Sequence, residues 1–226
     1  ESIFSIPAPM YGDAERVLGL ALAGGRAETL NATKVLEHSE ALALASIERS
    51  FQLLRTDVID LFQIHNLASW RLVTPVSKRL RDAGRIRFIG ITEYNVSKYP
   101  EMLEAMRTGE FDTIQIPYHL GERTCRREIL PLARELDMGV IVMTLVAPMF
   151  NRNLLLGPLS RANLSFLDPY GVRRPGQALL KYLLSDPAVS TVIPATNKVE
   201  RVAENAAVSD GNPIPPDVCR RLEALL

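Results

Sequence analysis

Cysteine is scarce in this chain. There are two in 226 residues, Cys125 and Cys219, far apart and without CxxC spacing. No disulfide framework can be built from them; they read as free thiols of a reducing compartment, with a single bridge as the lesser alternative. No charge of one sign dominates either, since 26 basic side chains face 26 acidic ones. Nothing electrostatic therefore calls for nucleic acid or an anionic membrane as partner. No apolar run is long enough to span a bilayer. The N-terminus, ESIFSIPAPM, lacks a basic leader followed by an apolar segment, so no signal peptide is expected and a cytoplasmic location follows. Low-complexity segments and Gly/Ser linkers are missing too, and residues 1–226 are expected to form one domain. No heptad or one-sided apolar excess indicates an oligomeric state.

What is present is an alternation of strand and helix. Short apolar runs suited to buried parallel strands occur at Ser2–Ile6, Leu30–Val35, Val58–Ile64, Ile86–Ile91, Thr113–Ile116, Val140–Thr144 and Thr191–Ile193. Helical patterns lie between them. From Glu40 onward, Leu44, Ile47, Phe51 and Leu54 make one apolar stripe. Further helices are predicted at Ala14–Ala23, Val76–Ala83, Ser97–Met106, Arg126–Leu136, Gly176–Leu184 and Val199–Ala207, with Gly84, Gly109 and Gly139 as stops or turns. Repeated β-then-α order implies an α/β fold on a parallel sheet, closed or doubly wound. A closed (β/α)₈ TIM barrel needs eight strands and typically ~250 residues, whereas seven strands are counted here. The expectation is a barrel with its first β-α unit missing, because an open barrel would leave two sheet edges exposed. The stretch Pro148–Arg174 is the longest without a clear period and reads as a lid-like loop.

Tyr11, Lys34 and His65 each follow or end one of three successive strand-like runs. Barrel active sites gather at such ends. Reducing a carbonyl by hydride needs a proton for the oxygen. A phenol is a poor acid, with an unperturbed pKa of about 10, and a neighbouring ammonium lowers it. Tyr11 could donate, Lys34 could tune it, and His65 could orient the carbonyl. Singly, each has a duller reading: turn packing, a solvated strand end, a satisfied hydrogen-bonder. A Schiff-base role for Lys34 in an unrelated isomerase is a distant third.

The segments PMYGDAERVLGLAL, LNATKV, SIERSFQLLRTDVIDLFQIHN, GRIRFIGITEYN, FDTIQIPYH and TVIPATNKVERVAEN, in this order, resemble the aldo-keto reductase superfamily over nearly the whole chain. That resemblance implies a (β/α)₈ barrel, a small-molecule aldehyde or ketone as substrate, and NADP(H) as cofactor, with NAD(H) the lesser choice. It implies Tyr11 as general acid, Lys34 as its tuner and His65 as substrate orienter. Such proteins hold the dinucleotide extended across the barrel mouth without a GxGxxG fingerprint, and none occurs here. By the same likeness Thr92, Glu93 and Gln115 meet the nicotinamide carboxamide, Met143 packs on the ring, and Thr144 reaches the pyrophosphate. Thr196 and Arg201 meet the 2′-phosphate, while Glu204 and Asn205 meet the adenine. Ala195 replaces the family's lysine in that block, which leaves Arg201, with Lys198 as a substitute.

One departure stands out. The family pattern Asp-Thr-Ala-x-x-Tyr-Gly puts a carboxylate five residues before the tyrosine, where this chain has Ile6. Isoleucine cannot pair with Lys34, and Asp13 lies on the wrong side of Tyr11. The site then works slowly with three residues, or the protein is a catalytically impaired relative that binds nucleotide in a regulatory role, or the first twelve residues are not those of the working protein. Substrate choice is expected to depend on Trp70, the Pro148–Arg174 loop and the tail after Asn205.

Overall fold

The structure, a computed structural model, describes residues 3–143, 153–196 and 198–226. The chain divides into two compact units, Glu1–Glu93 with Ser97–Ile114, and Tyr94–Val96 with Gln115–Leu226.

The first unit repeats strand and helix: β1 (Ile3–Ser5), α1 (Ala14–Ala21), β2 (Thr29–Val35), α2 (Glu40–Leu54), β3 (Ile59–Ile64), α3 (Trp70–Asp82), β4 (Ile86–Thr92) and α4 (Tyr99–Arg107). All three strand pairings are parallel and follow chain order. A parallel strand is covered on both faces, which is why β3, IDLFQI, is buried at every position. Helix α2 starts where Ser39, in extended conformation, accepts a hydrogen bond from the Leu42 N–H at 3.3 Å. It buries Ala43, Ile47, Phe51 and Leu54, close to the predicted stripe. Gly84 and Gly109, with φ near +70°, turn the chain after α3 and α4 as expected. Asp60 in β3 takes the Asn31 N–H at 2.9 Å and pairs with Arg26 and Arg87, both at 2.8 Å, tying β2, β3 and β4 together.

The second unit contains most of β5 (Thr113–Pro117), then α5 (Ile129–Glu135), β6 (Gly139–Met143), α6 (Asn153–Arg161), α7 (Pro175–Leu184), β7 (Thr191–Val192), α8 (Val199–Ala206) and α9 (Pro216–Glu223). Strands β6 and β7 pair in parallel. The end of α9 is held by Glu223, which takes Arg126 at 2.8 Å and the Tyr182 hydroxyl at 2.5 Å.

Three expectations need correction. Helix α3 begins at Trp70, six residues before Val76, and runs through Pro75. Pro75, the sixth residue of α3, lacks the N–H that would bond the Arg71 carbonyl, yet the helix runs on through it. The Pro148–Arg174 stretch is no plain loop: it holds α6 and a 3₁₀ segment, Ser165–Tyr170, while Pro148–Arg152 lie outside the described residues. Gly139 opens β6, and the left-handed residue after α5 is Asp137, with φ 53°.

Candidate active site

Tyr11 stands in the turn between β1 and α1, Lys34 is the penultimate residue of β2, and His65 directly follows β3. Because β1, β2 and β3 are parallel neighbours, these positions share one end of the sheet. The side chains meet. The Lys34 ammonium lies 5.6 Å from the Tyr11 ring centroid. The Tyr11 and His65 rings stand edge to face, 81° apart in plane, with centroids 6.4 Å apart. Tyr11 is 52% exposed, whereas Lys34 and His65 are buried. The phenol thus faces solvent over two buried nitrogen bases.

Burial sets the protonation states. It pulls Lys34 down to about 8 and His65 down to about 4, the latter helped by the nearby Lys34 charge. Near neutrality the ammonium is largely charged and the imidazole neutral. Burial also raises Tyr11 above its ordinary value. The lowering expected from Lys34 does not prevail; the phenol stays protonated at neutral pH, a proton source and not a phenolate. No hydrogen bond or ion pair is made by the Lys34 ammonium among the described residues. Asp13 is turned to the surface, where it pairs with Arg16 at 2.8 Å.

The loop after His65 is held in an unusual conformation. Asn66, Leu67 and Ser69 all have φ between 47° and 55°. Left-handed backbone at residues other than glycine costs of order 1–3 kcal/mol each and clusters at functional sites. The Asn66 N–H donates to Thr92 Oγ at 3.0 Å, which ties the His65 loop to the end of β4. Glu93 follows, fully buried, with its carboxylate 3.4 Å from the Lys98 ammonium.

In the second unit, Gln115 of β5 is buried, and its carboxamide donates to the Met143 sulfur at 3.2 Å. Its oxygen has no hydrogen-bond partner among the described residues. Thr196 and Arg201 are exposed, the first accepting from the Lys198 N–H at 3.2 Å. Glu204 pairs with Arg174 at 3.1 Å, and Asn205 beside it is half-buried. Thr144 lies outside the described residues.

Trp70 is a packing residue. Its ring meets Phe111 edge-on at 6.0 Å and its N–H reaches Glu101 at 3.2 Å. The cavity of about 500 Å³ that it borders is lined by α3 and the turn after α4, without Tyr11, Lys34 or His65. Glu15, Asn31 and Gln63 are among the buried polar residues that were not singled out from sequence. Glu15 of α1 accepts from Thr33 Oγ at 2.5 Å although it resembles a solvated first-turn acid. Asn31 and Gln63 are fully buried, with carboxamides lacking a hydrogen-bond partner among the described residues. Their only signal was a polar residue inside an apolar strand run.

Parallel strand-helix repeats bring a phenol, an amine and an imidazole to one end of the sheet. The aldo/keto reductase family profile matches residues 7–226, and the chain belongs to that family. It is 31% identical over 174 residues to the "Aldo-keto reductase YhdN" of Bacillus subtilis, covering 70% of this chain and 50% of that one. It is 28% identical over 207 residues to the "Methylglyoxal reductase YeaE" of Escherichia coli, with 89% and 72% covered. The chain therefore spans half the length of the first relative and 72% of the second. A solved aldo/keto reductase of Klebsiella pneumoniae, in complex with NADP and acetate, aligns with TM-score 0.84 at 24% identity, over 99% of this chain and 80% of that one. The fold class is thus α/β of the (β/α)₈ kind, with seven strand-helix units among the described residues.

Proposed function

We propose that this protein reduces an aldehyde or ketone to an alcohol with NADP(H), Tyr11 supplying the proton. The observation that carries this function is the meeting of the Tyr11 ring with Lys34 at 5.6 Å and His65 at 6.4 Å. A bound nicotinamide nucleotide would supply the hydride to the carbonyl carbon. Neutral His65 donates a hydrogen bond to the carbonyl oxygen and orients it. Tyr11, still protonated at neutral pH, passes its proton to that oxygen as negative charge builds there. The Lys34 ammonium, next to the ring, stabilises the phenolate that remains.

The cofactor assignment fits a buried orphan: the Gln115 oxygen, without a protein partner, suits the amide N–H of a carboxamide. By the family likeness Thr92, Glu93 and Met143 are the further nicotinamide residues and Thr144 the pyrophosphate residue. Arg201 and Thr196 would take a 2′-phosphate, Glu204 and Asn205 an adenine. The E. coli relative's name makes a small dicarbonyl the first substrate to assay. A single barrel domain and a cytoplasmic location belong to the same proposal; both cysteines are free, as suits a reducing compartment.

Tyr11→Phe is expected to lower carbonyl-dependent NADPH oxidation at least a hundredfold, within the range general acids contribute, with NADPH affinity held. Unchanged turnover removes the phenol from the mechanism. The unpartnered Lys34 favours a second function, nucleotide binding without turnover. Quenching of protein fluorescence by NADPH, together with no activity on any aldehyde or ketone, would establish it instead.

A further inference from the structure

Strands β2 and β3 run in register with Lys34 opposite Gln63, and β3 and β4 with Gln63 opposite Gly90. Side chains of laterally paired residues in neighbouring strands leave the same face, with the strands about 4.8 Å apart. Lys34, Gln63 and Gly90 thus form one row. Gln63 is fully buried, and neither its Oε1 nor its Nε2 has a hydrogen-bond partner among the described residues. Such groups are rare, and each costs about 1–3 kcal/mol. Next to it, Lys34 is a buried ammonium that donates to nothing among the described residues. One row holds a donor without an acceptor and an acceptor without a donor. A Cβ at Gly90 would lie 2.4 Å from Thr113 Oγ and 3.1 Å from Gln63 Cγ, so any side chain there would press on both.

We propose that Gln63 is a positioning residue for Lys34: its carboxamide oxygen accepts from the ammonium and holds it under Tyr11, in the place of the carboxylate that Ile6 cannot supply. The inference rests on the role given above to Tyr11 and Lys34. In the structure the two side chains are not bonded. Their paired register on neighbouring parallel strands puts both side chains on one face of the sheet. A carboxamide offers only a partial negative charge, so it retains the ammonium less firmly than a carboxylate would. The other titratable groups at Lys34 are the Tyr11 phenol, which stays neutral, and His65, which is neutral near pH 7.

The test follows the Lys34 side chain itself, by nuclear magnetic resonance of protein labelled with [¹³C,¹⁵N]lysine, the signal being assigned by its loss in Lys34→Met. Gln63→Met, close in volume and without an acceptor, is expected to lower the Lys34 pKa by about 1 unit, and Gln63→Glu to raise it by about 1 unit or more. The same order is expected in kcat at pH 7, with KM for the carbonyl nearly constant. Where Gln63→Met does not fold, the isosteric Gln63→Glu gives the answer. A Lys34 titration that stays the same in the folded variants overturns the proposal, and Gln63 is then a core residue. A wild-type protein that reduces no carbonyl overturns the function proposed above, while the lysine titration still decides the role of Gln63.

Discussion

Lys34 is the residue on which most of the local energetics turns. Its folded pKa of about 8 lies below its ordinary 10.5 because burial disfavours the ammonium. Between these values the unfolded chain binds more protons than the folded one, so stability rises with pH across that window, and the whole cost stands below pH 8. At roughly 1.4 kcal/mol per unit the cost is about 3 kcal/mol. Lys34→Met is therefore expected to stabilise the protein at pH 7 by up to about 3 kcal/mol, with the gain vanishing as pH approaches 10.5. Urea denaturation at pH 7 and 10 measures both; a gain of equal size at the two pH values would mean that the charge is not what costs. Ile6→Asp is expected to stabilise below pH 8 in the same measurement, by supplying the missing opposite charge. Of the proposed site, Tyr11, Lys34 and His65 were legible as a group because each ends or follows a strand, and the family likeness gave them their roles. The Ile6 departure was legible as well. The unpartnered carboxamides of Gln63 and Asn31 were not, since a polar letter in a strand does not say which face it takes or what it meets there.

At the scale of elements, agreement was best where burial repeats a pattern. Parallel strands covered on both faces read as continuous apolar runs, and each of the seven was found within two residues at either end. Helix α6 escaped because Gly157 and Pro158 interrupt its period, and α3 was entered late, only after Pro75. The crossing of α1 over α2 was not legible either. It depends on Gly19, where a Cβ would stand 2.2 Å from the Leu53 carbonyl oxygen. Backbone cannot yield as a side-chain tip does, so Gly19→Ala has to push the helices apart. The expected loss is about 1–3 kcal/mol. Since α1 follows the Tyr11 turn directly and carries Glu15, bonded to Thr33 of β2, turnover is expected to fall along with stability. Thermal melts and NADPH oxidation assays check the pair; a variant as stable as the parent would show that the helices have slack at that point.

At the scale of the molecule, the residues proposed for the cofactor run from Thr92 to Asn205, so a bound nucleotide would tie its stability to more than half the chain's length. A ligand that binds only the folded form adds RT ln(1 + [L]/Kd), about 2.7 kcal/mol at a hundred times Kd. For a chain of this size each kcal/mol moves Tm by about 2–4 °C. NADPH at that excess is expected to raise Tm by about 5–10 °C. The choice of nucleotide hangs on one block. Ala195 has no charge to offer a 2′-phosphate, while Arg201, exposed on α8, has a guanidinium that matches it in two parallel hydrogen bonds. NADH at equal concentration is therefore expected to give the smaller shift, and Arg201→Ala to bring the NADPH shift down to it. Equal shifts from the two nucleotides in the parent protein would remove Arg201 from the site and leave the 2′-phosphate without a partner in this chain.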